Sequence, residues 1–269
     1  MAAAWGRSGL AWLTGLPDGA PDFSRAGVLN RADAVAAAIA ERLGVRVDAA
    51  VALAGRAGLA GSRRRGRISA GGATRLLPTR DGWCALTLSR SDDIGAVPAL
   101  VEIDTDAGDP WPLVTTWAAR LTAADVVERA ALLDLPVAAL GEAAAEPHRL
   151  TVLGRRATPR PMSDLLVADL SSMWAGPLCG QILAAAGATV VKVESPSRPD
   201  GTRVGEPAFF DWVNHGKLSC AIDFDDDRDV LRDLLSVADV VIEGSRPAAL
   251  GRRGLGPADL AGPPGRVWL

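Results

Sequence analysis

The sequence predicts an α/β protein, with an open parallel sheet in its second half and a mixed α+β region in its first half. Three observations carry that prediction. From Leu165 onward, apolar runs at Leu165–Leu170, Thr189–Glu194 and Ala238–Ile242 are separated by helix-like stretches at Ala175–Ala186 and Asp226–Val237. The distance between the first two runs is that of a strand–helix–strand unit, which requires parallel pairing and a right-handed crossover. Before that stretch the pattern is less regular, and Gly154–Met162 is dense in Arg, Pro and Gly, as a boundary should be. The expected organisation is residues 1–155, a linker at 156–162, and residues 163–269.

In the first half, Arg31–Leu43 repeats apolar positions at helical spacing and ends at Gly44. Ala49–Leu59 reads as a weaker helix because Gly55 and Gly58 interrupt it. Gly61–Thr79 reads as a loop or irregular strand. The Asp81-Gly82 turn pair introduces a strand at Trp83–Leu88. Helices are expected at Trp111–Leu121 and Ala123–Leu133, the second with a Thr122/Asp125 capping box. Asp92–Val101 is a poorer helix, because Pro98 should break its final turn. Leu135–Leu140 reads as a strand or turn.

In the second half, Ser219–Asp223 extends the sheet, and acidic residues near the start of Asp226–Val237 favour the helix dipole. Arg266–Leu269 opens one more strand. An alternating array normally continues from such a strand into a further helix, so a domain cut short is expected. This second half reads as an open Rossmann-like parallel sheet.

Composition narrows the function. About half the residues are apolar (48%) and 23% are charged, the balance of a folded chain. A net charge of -3 gives no general attraction for nucleic acid or an anionic membrane. The basic cluster Arg63–Arg65 with Arg67 suits either a phosphate contact or, more simply, a solvated loop. Cys84, Cys179 and Cys220 are odd in number and form no CxxC, which suits buried thiols in a reducing compartment. His148 and His215 lack partners at zinc-site spacing. With no apolar run of membrane length and no leader pattern, a cytoplasmic protein is expected.

Chemistry concentrates in the second half. Trp174-Ala175-Gly176-Pro177 follows the first strand and opens the first helix. Proline is tolerated in a first turn, and glycine permits close backbone approach. The N–H groups of such a turn can receive phosphate or developing negative charge. This is also the end of a parallel sheet where ligand crevices form. A plain strand-to-helix turn accounts for the same residues. Lys192 and Glu194 alternate with Val191 and Val193, which places them on one strand face as either a structural ion pair or a ligand contact. Ser195–Thr202 is a Pro/Ser/Gly loop suited to surround a ligand. Asn214-His215-Gly216-Lys217 is a polar turn. Glu243-Gly244-Ser245-Arg246-Pro247 closes a strand with an arginine that can meet an anion or a neighbouring acid.

Taken together, LLVADLSSMWAGPLCGQILAAAGATVVKVESP, NHGKLSCAIDF and ADVVIEGSRPAALGRRGLGPADL resemble the large-domain opening of class III (CaiB/BaiF) coenzyme A transferases. There an AGP turn is followed by KVE-P, N-GK-S and ADV-IEN-RPG segments in this order. The sequence departs at Gly244-Ser245, where many relatives carry Asn-Phe, and at Ala248, where they carry glycine. GRISAGGATRLLPTRDGWCALTLS and WAARLTAADVVERAALLDLPVAAL bear a fainter resemblance to the family's small domain and return segment, which would reverse the usual order.

The resemblance implies coenzyme A or acyl-CoA as substrate, with no tightly bound cofactor and no metal, and a small carboxylic acid as second partner. It places Trp174, Ala175, Gly176, Pro177, Lys192, Ser195 and Arg266 at the cofactor. It further implies an aspartyl nucleophile well beyond the AGP turn, past Leu269, and leaves Asp169 and Asp223 as strand residues. Relatives form interlocked dimers, so self-association is expected. An acyl-CoA racemase of the same superfamily and a non-catalytic CoA-binding protein are the alternatives. Trp83, Trp111 and Trp117 are expected to anchor the core.

Overall fold

A computed structural model describes residues 1–104, 108–144, 149–244 and 249–269. The chain divides into two compact units, one of residues 1–30 and 53–148, the other of residues 31–52 and 149–269.

The first unit begins with α1 (Ala2–Arg7); α2 (Ala26–Leu43) and α3 (Ala49–Leu59) carry the unit boundaries. Gly44 ends α2 at φ +69°, a conformation favourable only to residues such as glycine. Strands β1 (Thr74–Pro78), β2 (Trp83–Thr87) and β3 (Val137–Ala139) form an antiparallel sheet in that order. Between β2 and β3 lie α4 (Ser91–Gly95), α5 (Val97–Val101), α6 (Trp111–Ala118) and α7 (Ala123–Leu132). Leu77, Cys84 and Leu86 of the sheet pack with Leu100, Val114, Val126 and Ala130 of these helices.

Three local outcomes sharpen the sequence reading. The capping box of α7 forms, with Asp125 N–H donating to Thr122 Oγ1 at 3.1 Å and Thr122 N–H donating to Asp125 Oδ2 at 3.2 Å. Pro98 does not break a final turn. It stands in the first turn of α5, where its missing N–H costs nothing, and the expected single helix becomes two. Part of Gly61–Thr79 is a regular strand, β1. Its Arg75 lies in register with Leu86 and sets its guanidinium 4.5 Å from the centroid of the Trp111 ring. Trp111 is buried and Trp117 packs against the same cluster.

The second unit holds β4 (Leu166–Asp169), α8 (Ala175–Ala185), β5 (Thr189–Glu194), α9 (Pro207–Asn214), β6 (Leu218–Ala221), α10 (Arg228–Val237), β7 (Val240–Ile242) and β8 (Val267–Trp268). The five strands are all parallel in the order β6-β5-β4-β7-β8. The sheet therefore grows outward from β4 through β5 to β6, then restarts on the other side of β4 with β7. That reversal makes the carboxyl ends of β4 and β7 a topological switch point.

Alternation assigns the two faces. Ala168, Val193 and Val241 pack with Leu231 and Leu235 of α10, while Val167, Val190 and Ile242 pack with Cys179 and Leu183 of α8. Lys192 and Glu194, in step with Val190, emerge on the α8 side. Helix α9 packs against α8. It had no counterpart in the sequence reading. Its apolar residues Phe209 and Val213 stand four apart on one buried face, and Pro207 starts it.

Candidate functional site

At the switch point the chain leaves β4 through Leu170-Ser171-Ser172-Met173 and enters α8 at Trp174. The first helical hydrogen bond runs from Leu178 N–H to the Trp174 carbonyl at 2.9 Å. The N–H groups of Ala175 and Gly176 precede that bond, Pro177 has none, and no side chain caps the helix. The start of α8 thus presents donors and the positive end of a helix dipole at the carboxyl edge of the sheet.

Two buried lysines hold this turn. Lys192 Nζ donates to the Ser171 carbonyl and to Asp200 Oδ2, the latter at 3.0 Å. Lys217 Nζ donates to Asp169 Oδ2 at 2.7 Å, to the Pro177 carbonyl at 2.8 Å and to Asn214 Oδ1 at 3.0 Å. Both ion pairs are nearly inaccessible, with side-chain exposures of 2% and 0% for Lys192 and Asp200, and 1% and 0% for Lys217 and Asp169. Buried charges are tolerated only with such pairing and hydrogen bonding. Burial pushes the Lys217 ammonium below the usual lysine range, against the opposing pull of Asp169. The other Asp169 oxygen accepts from Ser171 N–H at 3.0 Å and from Ser171 Oγ.

Close packing makes glycine obligatory here. A Cβ on Gly176 would fall 2.2 Å from both Cβ and Oγ of Ser171, and one on Gly180 would fall 2.7 Å from Asp169 Oδ2. Gly244, after β7, approaches the same serine less tightly: a Cβ there would fall 3.2 Å from Ser171 Cα.

The Ser195–Thr202 loop is organised around Asp200. Asp200 N–H donates to Glu194 Oε1 at 2.8 Å, and Arg203 grips Glu194 through Nε and Nη2 at 2.9 and 2.6 Å. Asp200 Oδ1 accepts from Thr202 N–H and Oγ1 at 3.0 and 2.8 Å. Burial disfavours the Asp200 carboxylate, but hydrogen bonds from Thr202 and Lys192 outweigh it and leave its pKa below the ordinary value. The Arg203 hydrogen bonds lower Glu194 likewise. For a depressed carboxylate the stabilisation is present above the unfolded pKa and is lost as pH falls through the folded one. The urea midpoint is therefore expected to hold from neutral pH to about pH 5 and to fall below about pH 4. Glu194→Gln should flatten part of that decline in a pH series of urea titrations. An identical slope in the variant would rule out the Glu194 contribution.

The other expected residues separate clearly. Ser195 is buried, and its Oγ lies 2.8 Å from that of Ser197. It lines a shallow cleft of ≈ 170 Å³ with Glu194, Pro199, Arg203, Ser219 and Cys220. Trp174 is 36% exposed, and its indole N–H donates to the Ala52 carbonyl at 3.2 Å. Arg266 stands apart from the rest. It precedes β8, at the amino edge of the sheet, and donates to the carbonyls of Leu235, Ala261 and Leu260. Its bond to Leu235 helps to close the last turn of α10. His215 is exposed. His148, Ser245, Arg246, Pro247 and Ala248 lie outside the described residues. In the first unit, Arg64 donates to the carbonyls of Pro17, Gly19 and Ala20, and Arg67 stacks on Trp83, so these two arginines serve their own unit.

Lys217 and Asp200 were absent from the expected site. Their signal was indirect: Lys192 inside an apolar strand and Asp169 at the end of another each required a buried counter-ion.

Residues 162–263, the span holding β4 through the loop before β8, match the family described as CoA-transferase family III. Through this segment, the chain is similar to CoA-transferase family III. An acyl-CoA transferase of Fusarium pseudograminearum is 38% identical over 112 residues, covering 35% of this chain and 25% of that protein. The succinyl-CoA–D-citramalate CoA-transferase of Chloroflexus aurantiacus is 36% identical over 107 residues, covering 36% and 27%. A crystal structure of a CaiB/BaiF family protein from Brucella suis aligns at 37% identity and TM-score 0.35, over 37% of this chain and 29% of that one. The chain spans about a quarter of the length of the curated relatives it matches. The switch-point turn and its two lysine clamps all lie within the matched residues. Among the described residues, no group of three or more His, Cys, Asp or Glu is placed to hold a metal ion, and no helix is long and apolar enough to cross a membrane.

Proposed function

We propose that the second unit binds the CoA portion of an acyl-CoA at the switch point, and that the protein serves transfer of CoA between an acyl-CoA and a small carboxylic acid. The observation that carries this reading is the first turn of α8, whose Ala175 and Gly176 N–H groups face the carboxyl edge ahead of the helical ladder. A nucleotide phosphate or thioester oxygen is the kind of group such donors receive. Trp174, Ala175, Gly176 and Pro177 form the contact surface in this reading. Ser195 lines the adjoining cleft, and Lys192 acts from behind, through Ser171 and Asp200. Arg266, with its donors engaged at the opposite edge, supports the fold of α10.

In the proposed chemistry a carboxylate of the protein attacks the thioester carbonyl and expels the CoA thiolate, leaving a mixed anhydride. The thiolate then attacks the protein acyl carbon and releases the donor acid, which gives a protein-bound CoA thioester. The acceptor carboxylate repeats the sequence in reverse. Asp169 and Asp200 are both buried against lysine ammoniums, so neither is the nucleophile. Self-association belongs to the same proposal.

Calorimetric titration of the 269-residue chain with CoA and acetyl-CoA tests the binding step. Saturable binding that Gly176→Ala removes is the expected result. Absence of heat with both ligands, at protein concentrations where the chain is folded, would dismiss the proposal.

A further inference from the structure

Met173 is one of three non-glycine residues with positive φ among the described residues, at +78°. A left-handed backbone costs a side-chain-bearing residue about 1–2 kcal/mol, so something must hold it. Its side chain is 44% exposed, so burial of that side chain is not the reason. The hold is on its backbone: Met173 N–H is shared between both carboxylate oxygens of Asp200, at 3.2 and 3.3 Å. Asp200 is itself fixed by Lys192, Thr202 and Glu194, and is 2% exposed. Met173 is the residue immediately before the N-cap Trp174, so its φ and ψ set the direction in which α8 begins.

We infer that Asp200 is a positioning residue for the ligand-facing turn, acting through the strained backbone of Met173 to aim the N–H groups of Ala175 and Gly176. This inference rests on the reading of that turn as the CoA contact. Asp200 touches no ligand in this scheme. Its carboxylate holds the left-handed residue on one side and the buried Lys192 ammonium on the other. Lys192 in turn holds the Ser171 carbonyl, so both ends of the Ser171–Met173 step are tied to one carboxylate.

Glycine adopts positive φ without penalty, which separates positioning from a general stabilising role. In the full chain, Asp200→Asn is expected to shift the backbone amide resonances of Trp174, Ala175 and Gly176. It should weaken CoA binding about tenfold, the size of losing one hydrogen bond to a charged acceptor. Adding Met173→Gly to that variant should return the resonances toward their original positions and bring affinity to within about fivefold of the starting value, the remainder reflecting glycine's freedom. If Asp200 only supports the fold, the second substitution leaves both losses in place, and the inference is overturned. Unmoved resonances in a folded Asp200→Asn chain overturn it as well. Should that variant fail to fold, Asp200→Glu keeps a charge for Lys192 while displacing the carboxylate by one methylene, and is read by the same shifts and the same rescue. A chain that binds no CoA yet shows the shifts and their reversal refutes the proposed ligand alone. The positioning role then stands.

Discussion

Methionine in place of Lys217 is expected to lower the free energy of unfolding by about 3–5 kcal/mol, the cost of leaving a buried charge without its partner. The substitution keeps the length and the apolar stem of the side chain while removing the ammonium that meets Asp169, the Pro177 carbonyl and Asn214. Asp169 is fully buried and, among the described residues, is left with Ser171 as its donor. Urea denaturation of the purified chain gives the number directly. A second substitution, Asp169→Leu, should recover much of the loss, because an apolar pair of similar volume removes the stranded charge. A single variant within about 1 kcal/mol of the starting protein would show that the pair is solvated in solution and that the ordinary surface value applies.

The second large effect comes from Gly176→Ala. The added methyl lands 2.2 Å from Ser171 Cβ and Oγ, and the next nearest atom is Ile242 Cγ2 at 3.3 Å. Ser171 cannot swing away freely, since its hydroxyl is bonded to Asp169. Overpacking of this kind costs about 1–3 kcal/mol. Thermal unfolding should show the loss, and Ser171→Gly in the same chain should return part of it by deleting the two clashing atoms. If Gly176→Ala alone unfolds at the original temperature, the turn lies farther from Ser171 than these distances state.

Much of the second unit was legible because its central strands β4, β5 and β7 are largely buried and carry the apolar runs of a parallel sheet. Thr189–Glu194 was bounded correctly to the residue, since a turn precedes it and a Pro-rich loop follows. Helix α9 escaped notice because Phe209, Phe210, Trp212 and Val213 crowd into about two helical turns of mixed signals, with a proline start that also reads as loop. In the first unit, β1 was obscured by Arg75, whose charge argues against a core-facing strand until its stacking on Trp111 is known. Local pattern carries no information about such partners.

The site shows the same division. The turn at Trp174–Pro177 was visible from residue type and from its place after a strand. Lys192 was visible as an anomaly, a lysine between valines. Its meaning was not, because Asp200 is supplied by the following loop and Lys217 by a turn beyond a helix the sequence did not announce. The surroundings of Arg266 were hidden for a related reason. Its place before a parallel strand puts it at the amino edge, but the carbonyls of Leu235, Leu260 and Ala261 that it meets there are not marked in the local pattern.

The Lys217–Asp169 pair also has a consequence in time. Its members are 48 residues apart, whereas β4 meets β5 after little more than twenty. During synthesis, strand pairing and the α8 crossover become available well before the ammonium that neutralises Asp169 has emerged. Contacts of long sequence separation close late and slow the approach to the native state. A nascent or proteolysed chain ending short of Lys217 therefore carries an uncompensated carboxylate in the middle of its sheet, and its hydrophobic surface is left open to the aggregation and chaperone capture that await incomplete domains.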